Sequence, residues 1–463
     1  MTDLDFASFA EQARLVAVGE VTSVELVEHA LGRIRRLDQR LNAFAYVLDD
    51  AALAEAAVRD ATPSEQRGVL HGVPIAIKDE NDVAGLPTAY GGAAFTTAAA
   101  ADSEVVRRLR EAGAVIIGKT RMPEFGIWPW TETSANGYTR NPWNPLRSTA
   151  GSSGGSAAAV ASGMVAGAIG GDGGGSIRLP ASFCGLYGLK CQRGRTSAAP
   201  NAHLWRSLGV IGPLTRTVED SALIYDAITG SLPSDAWTAA PLAMTMSQAY
   251  RTEPGPLRIG FTTRLGGLSA DAETTAALFA TVAALRELGH SVTQVKPPFP
   301  EVSVAFMAQT AAGVAEEAER AEFAELLEQR TRTLLKLTGA LRGRAEWAER
   351  AGIAAGAEFA STFFADFDLL LMPTTPTAAV PVGQLDGLGA VAASAKATKA
   401  SGFTSLWNVL GNPAAAIPSG FSSDGLPLSV QLVGPPDGEP VVIQVSAQLE
   451  RVRPWAQLRP SLA

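Results

Sequence analysis

A serine hydroxyl behind a stretch of bare backbone and a lysine at the end of an apolar run could do chemistry together. Five of the six positions from Gly170 to Gly175 are glycine, and Ser176 follows directly in "GGDGGGSIR". Each glycine costs extra backbone entropy when it is ordered, so packing alone does not ask for this run. Inward-pointing glycine N–H groups can instead stabilise the oxyanion of a tetrahedral intermediate, with no side chain in the way. On that reading Ser176 is a nucleophile in need of a base. A glycine-rich turn before a helix could also bind an anion. Lys78 closes the run "GVPIAIK" (72–78). In water a lysine has a pKa of about 10.4 and carries its proton at neutral pH. Burial disfavours the charged form, and a desolvated lysine can replace histidine as the base beside a serine. The alternative is an ammonium that reaches from the strand end to water.

Two other motifs fail on context. "GAVIIGKT" (113–120) has phosphate-loop spacing, but its intervening residues Ala-Val-Ile-Ile form an apolar strand, and Pro123 falls where the motif's helix should run. "GSSGG" (151–155) places Ser153 in a nucleophile-elbow pattern, yet "TRNPWNPLRSTA" before it is no strand. His29, His71, His203 and His290 are the whole histidine complement, and no pair shows ligand spacing, so neither a Ser-His-Asp hydrolase nor a metal site is expected.

These residues need a scaffold. The 463-residue chain is 46% hydrophobic and 18% charged, which supports a large globular core. Its net charge of −8, with no basic block, argues against nucleic acid as a partner; "RIRRLDQR" (33–40) reads as the solvated face of a helix. The N-terminal "MTDLDFASFAEQ" has no leader pattern, and "AAAVASGMVAGAIGG" (157–171) is too short to cross a bilayer. Cys184 and Cys191 make neither a disulfide framework nor a zinc spacing, so free thiols and a cytoplasmic setting are expected. Thr22 and Glu25 form a capping-box pattern at the head of a helix over 21–37. A strand at 72–79, a helix at 103–113 and a strand at 114–117 suggest helices packed on a sheet. Residues 123–156 read as a long ordered loop system, 304–366 as a mainly helical section, and 368–375 and 427–436 as late strands. With no repeat and no clear linker, one domain spanning 1–463 is expected.

The blocks "GVPIAIKDENDVAGLPT" (72–88), "GKTRMPEFG" (118–126), "TRNPWNPLRSTAGSSGGSAAAVASG" (139–163) and "GGDGGGSIRLPASFCGLYGLK" (170–190) together resemble the amidase signature family. "TSLWNVLGNPAAAIP" (404–418) and "LPLSVQLVGPP" (426–436) extend the likeness over most of the chain. The resemblance implies an α/β fold, a single α/β/α domain around a large twisted mixed sheet. It implies a Ser–Ser–Lys triad: Lys78 as base, Ser152 as a bridging serine after a cis peptide bond, and Ser176 as the acyl-forming nucleophile. It also implies an oxyanion hole from the N–H groups of Gly173, Gly174, Gly175 and Ser176, with Asp172 and Arg178 supporting the loop. No cofactor is implied.

Two stretches depart from the family pattern. "LKCQRGR" places Cys191 where proline is usual, and "IWPWTET" (127–133) introduces Trp128 and Trp130. With Trp143 and Trp205, these tryptophans are expected either to line a substrate pocket or to pack loops onto the core. A pocket of that kind would suit a bulky or aromatic amide, an anilide or a carbamate. The alternative is a glutamine-hydrolysing A subunit of a tRNA-dependent amidotransferase. A homodimer is compatible with either, and no membrane partner is expected.

Overall fold

The structure is a computed structural model that describes residues 4–462; Met1–Asp3 of the stretch read for a leader lie outside it. Eleven strands form one sheet. In chain order they are β1 (Phe44–Val47), β2 (Pro74–Lys78), β3 (Val115–Thr120), β4 (Gly167–Asp172), β5 (Tyr187–Lys190), β6 (Val210–Thr215), β7 (Arg258–Phe261), β8 (Ser291–Gln294), β9 (Leu369–Pro373), β10 (Ala414–Phe421) and β11 (Pro427–Val433). Their spatial order is β1-β3-β2-β4-β6-β5-β10-β11-β9-β7-β8. β2 runs parallel to both β3 and β4, whereas β10 and β11 are antiparallel. This is the mixed sheet expected of the fold.

Strand alternation sorts side chains onto two faces. Ile75 and Ile77 of β2 enter one apolar cluster, and Ala76 enters the other. Lys78 therefore shares a face with Ala76, where the wholly buried small-residue helix α1 (Gly154–Ala161) packs. The helix α2 (Arg178–Cys184) follows the glycine run. The section expected to be helical holds α3 (Ser303–Glu319), α4 (Gln329–Arg342) and α5 (Ala345–Asp366); α6 (Ala390–Ala400) lies beyond it. No described helix is long and apolar enough to cross a membrane.

Three local readings need correction. The head of the glycine run is not loop but the end of β4, all six residues of which are buried. Its glycines are where neighbours come closest: a Cβ on Gly170 would stand 2.7 Å from Leu214 and Ser153, and one on Gly167 2.8 Å from Ile224. The stretch 123–156 contains two small hairpins, Glu132–Thr133 with Gly137–Tyr138 and Arg140–Asn141 with Asn144–Ser148. Arg33, read as solvated, is buried; it pairs with Asp5 and donates to the Ser162 carbonyl at 2.6 Å. The capping box at Thr22 and Glu25 is present, on a helix running Ser23–Leu41. Cys184 and Cys191 are free and buried.

Candidate active site

β2 delivers Lys78 to the sheet end beside β4, and the lysine is 1% exposed. Its Nζ donates to Ser152 Oγ at 2.7 Å and to the Gly171 carbonyl at 3.2 Å. The Glu80 carboxylate lies 3.0 Å from the same nitrogen. Burial pushes the Lys78 ammonium below its ordinary range, while the charges of Glu80 and Asp172 pull it back up.

The turn before α1 carries Ser152. Thr131 anchors it by donating twice to the Ala150 carbonyl, from N at 3.1 Å and from Oγ1 at 3.0 Å. The Gly151–Ser152 peptide is cis. Ser153, the centre of the failed elbow pattern, is a strut. Its N–H donates to the Ser176 carbonyl at 3.2 Å and its hydroxyl to the Gly171 carbonyl at 3.2 Å. One residue thus ties the Ser152 turn to the Ser176 turn and to β4. Lys78, Ser152 and Ser176 line a single cleft together with Glu80, Gly173 and Trp205.

Asp172 organises the turn after β4. Its carboxylate accepts from the N–H of Gly175 at 2.7 Å, from Ile177 N–H at 3.2 Å and from Arg178 through Nε and a terminal nitrogen, both at 2.9 Å. Burial alone would raise this carboxyl, but the Arg178 guanidinium holds it well below the usual carboxylate range. Arg178, wholly buried, also donates to the Thr404 carbonyl, Gln431 and Asn408. The support role expected for Asp172 and Arg178 is therefore a hydrogen-bonded one.

Gly175 departs from the expected oxyanion set, because its N–H is directed at Asp172. The N–H groups of Gly173, Gly174 and Ser176 are not claimed by any acceptor among the described residues. Contrary to the expectation that packing does not ask for the glycine run, close neighbours leave no room for side chains along it. A Cβ on Gly173 would come within 2.7 Å of the Trp205 ring, and one on Gly174 within 2.9 Å of Phe306. Gly175 has φ +129° and would meet Thr404 at 2.2 Å, so only glycine fits there.

Ser176 also borders a cavity of about 300 Å³, lined mainly by apolar side chains that include Trp128, Trp205, Phe306, Met307, Leu334 and Leu335. The helices α3, α4 and α6 supply much of its wall, so the helical section borders the site. Of the four tryptophans, Trp128 and Trp205 line this cavity. Trp130 shares an apolar cluster with Trp128, Leu385 and Ala393, and the Lys396 ammonium lies 5.8 Å from its ring centre. Trp143 lies elsewhere: it packs edge-on against Phe421, and its Nε1 donates to the Cys184 carbonyl at 2.9 Å. Of the two alternatives, lining a pocket holds for Trp128 and Trp205, and Trp130 and Trp143 stand outside that cavity.

The rejected motifs are accounted for. Residues 115–120 of the phosphate-loop pattern are β3, and Lys119 pairs with buried Asp79 at 2.8 Å. None of the four histidines lines the cleft or the cavity. Sequence reasoning missed Glu80, whose signal was available as an acid two residues after Lys78. It also missed Phe306, Leu334 and Leu335, which no local pattern marks.

A family model described as "Amidase" matches residues 25–443. The chain is 43% identical to a Mycobacterium tuberculosis protein named "Putative amidase AmiB2", over 100% of this chain and 99% of that one. The solved structure of 6-aminohexanoate cyclic dimer hydrolase superposes with a TM-score of 0.92 at 32% identity, covering 100% of both chains. A bacterial aryl acylamidase of the amidase signature family gives 0.87 at 27% identity, covering 98% of each chain.

Proposed function

The chain belongs to the amidase signature family of carbon–nitrogen hydrolases, and from that premise we propose a mechanism and a substrate class for it. Ser176 is the nucleophile, Ser152 the relay and Lys78 the base. The observation that carries this reading is the 2.7 Å contact between Lys78 Nζ and Ser152 Oγ in the cleft that Ser176 shares.

With Lys78 neutral, Ser176 Oγ attacks the substrate carbonyl carbon. Its proton passes to Ser152 Oγ as the Ser152 proton passes to Lys78 Nζ. The carbonyl oxygen becomes an oxyanion and accepts hydrogen bonds from the N–H groups of Gly173, Gly174 and Ser176. The carbon–nitrogen bond then breaks, and the proton on Lys78 returns through Ser152 to the departing amine. An acyl ester remains on Ser176. A water molecule attacks that ester and gives its proton through Ser152 to Lys78; the proton returns through Ser152 to Ser176 Oγ as the ester bond breaks, which releases the acid and the free serine.

The substrate is a small-molecule amide or carbamate with a bulky or aromatic part, since a cavity of about 300 Å³ walled by Trp128, Phe306 and leucines favours apolar groups. The likeness to an aryl acylamidase supports the same choice. Glutamine, required by the amidotransferase reading, would place its charged ammonium and carboxylate against that apolar wall. The proposed setting is cytoplasmic.

Product release from acetamide, benzamide, an anilide, an aryl carbamate and glutamine tests both halves of the reading. Turnover of the aromatic members is expected, with a loss of at least about 10³-fold in Ser176→Ala and Lys78→Ala. Turnover of glutamine alone would overturn the substrate class. Retained activity in Ser176→Ala would overturn the mechanism.

A further inference from the structure

The proposed triad contains no acid, yet a carboxylate is built against its lysine. Glu80 Oε2 is 3.0 Å from Lys78 Nζ, and the Glu80 side chain is 7% exposed. Its other oxygen, Oε1, is buried and has no hydrogen-bond partner. β4 makes room for it, because a Cβ on Gly171 would stand 1.9 Å from Oε1. The Gly171 carbonyl accepts from the same Nζ, so Lys78 is held between Ser152, β4 and Glu80. Satisfying one carboxylate oxygen while leaving the other bare is costly in a buried position. An interaction with the lysine accounts for its being there.

We propose that Glu80 is a positioning residue that acts through Lys78: its carboxylate holds Nζ against Ser152 and sets the acid limb of the pH profile. The inference rests on the reading of Lys78 as the base. Protonated Lys78 cannot accept the relayed proton, so activity on the acid side follows the fraction of lysine that is neutral. A negative charge in contact favours the protonated form and moves the limb to higher pH. The same charge makes the lysine a stronger base when it does accept, and orients the proton that must return to the leaving amine.

Other charges around the lysine are already matched. Asp172 on β4 faces Lys78 but is paired with Arg178. Asp79, next along the chain, is paired with Lys119 of β3. Beyond Glu80, Glu317 of α3 pairs with Arg320. Glu80 is thus the acid in direct contact with the base.

The test is the pH dependence of kcat/KM for an anilide that the wild type turns over, in Glu80→Gln and Glu80→Asp. In Glu80→Gln the acid limb is expected to fall by about one pH unit, because an amide keeps the shape and removes the charge. Glu80→Asp keeps the charge and should return the limb toward the wild-type position. An unmoved limb in Glu80→Gln would overturn the proposal, and so would equal shifts in the two variants. If Glu80→Gln turns over too slowly to measure, the rate of Ser176 labelling by phenylmethylsulfonyl fluoride against pH reads the same limb. If Glu80→Gln does not fold, Glu80→Ala takes its place: a limb lowered by about one pH unit supports the proposal, and a raised or unmoved limb overturns it. Lys78→Ala and Ser176→Ala run alongside. Activity retained in them removes the triad itself, whereas their silence with an unmoved Glu80→Gln limb removes only the role of Glu80.

Discussion

Arg178 and Asp172 are both wholly buried, and between them they hold the turn that presents Ser176. Such a pair is not in itself strong evidence of stability, since desolvation offsets much of the attraction, but removing one partner strands the other. Arg178→Met should therefore cost about 3–5 kcal/mol in chemical denaturation. Adding Asp172→Asn in the same chain should recover a good part of that loss, and additive losses would argue against the pair as the unit. At this scale the sequence was informative. Lys78 and Ser176 stand out by their surroundings, and Ser152 by the family resemblance. The direction of the Gly175 N–H was not legible, nor was the contact of Glu80 with Lys78, although an acid two residues after the lysine was in view. Which way an N–H points, and how near a carboxylate comes, depend on neighbours such as Asp172 and Gly171 whose side-chain space only the folded chain defines.

Among the described α-helices, α4 buries the fewest residues, Thr331 alone. Both oxygens of the buried Glu124 carboxylate accept from the Glu328 N–H at 3.1 Å, just ahead of the helix. Burial pushes the Glu124 carboxyl from 4.5 up to about 7. A carboxyl raised in the folded state contributes its full stability below its ordinary pKa and loses it as pH rises through the raised one. Hydrogen-exchange protection across Gln329–Arg342, corrected for intrinsic rates, should thus fall between about pH 5 and pH 8. Glu124→Gln should flatten that dependence, and an unchanged slope would exclude this carboxyl as its source. The helical character of 304–366 was legible from composition, though not its division into three helices, and β2, β3, β9 and β11 were legible from apolar runs. β1, β4, β5, β6, β7, β8 and β10 were not. Stretches such as "GAIGGD", "YGLK" and "SVTQ" carry little apolar alternation, and it is their pairing within the sheet that makes them strands.

Across the whole molecule, the reacting groups and the cavity come from different parts of the chain. The sheet end and its turns place Lys78, Ser152 and Ser176, whereas segments near 128, 306, 334 and 390 build the cavity wall. This separation lets substrate preference change without disturbing the chemistry. Phe306→Ala should raise KM for an anilide about tenfold, equivalent to ~1.4 kcal/mol, while leaving that for acetamide nearly unchanged. Equal effects on both would mean that Phe306 matters through the Gly174 backbone it covers. The family resemblance implied the sheet and the turns, but no sequence pattern indicated which distant helices would close over them.

The proposed reaction runs through a covalent intermediate on one serine, Ser176. The most direct measurement is rapid acid quench during turnover of an aryl carbamate, followed by intact-mass analysis and peptide mapping. An acyl mass increment is expected on the peptide containing Ser176, absent from Ser176→Ala and slow to form in Lys78→Ala. An increment on Ser152 or Ser153, or undiminished turnover in Ser176→Ala without any adduct, would contradict it.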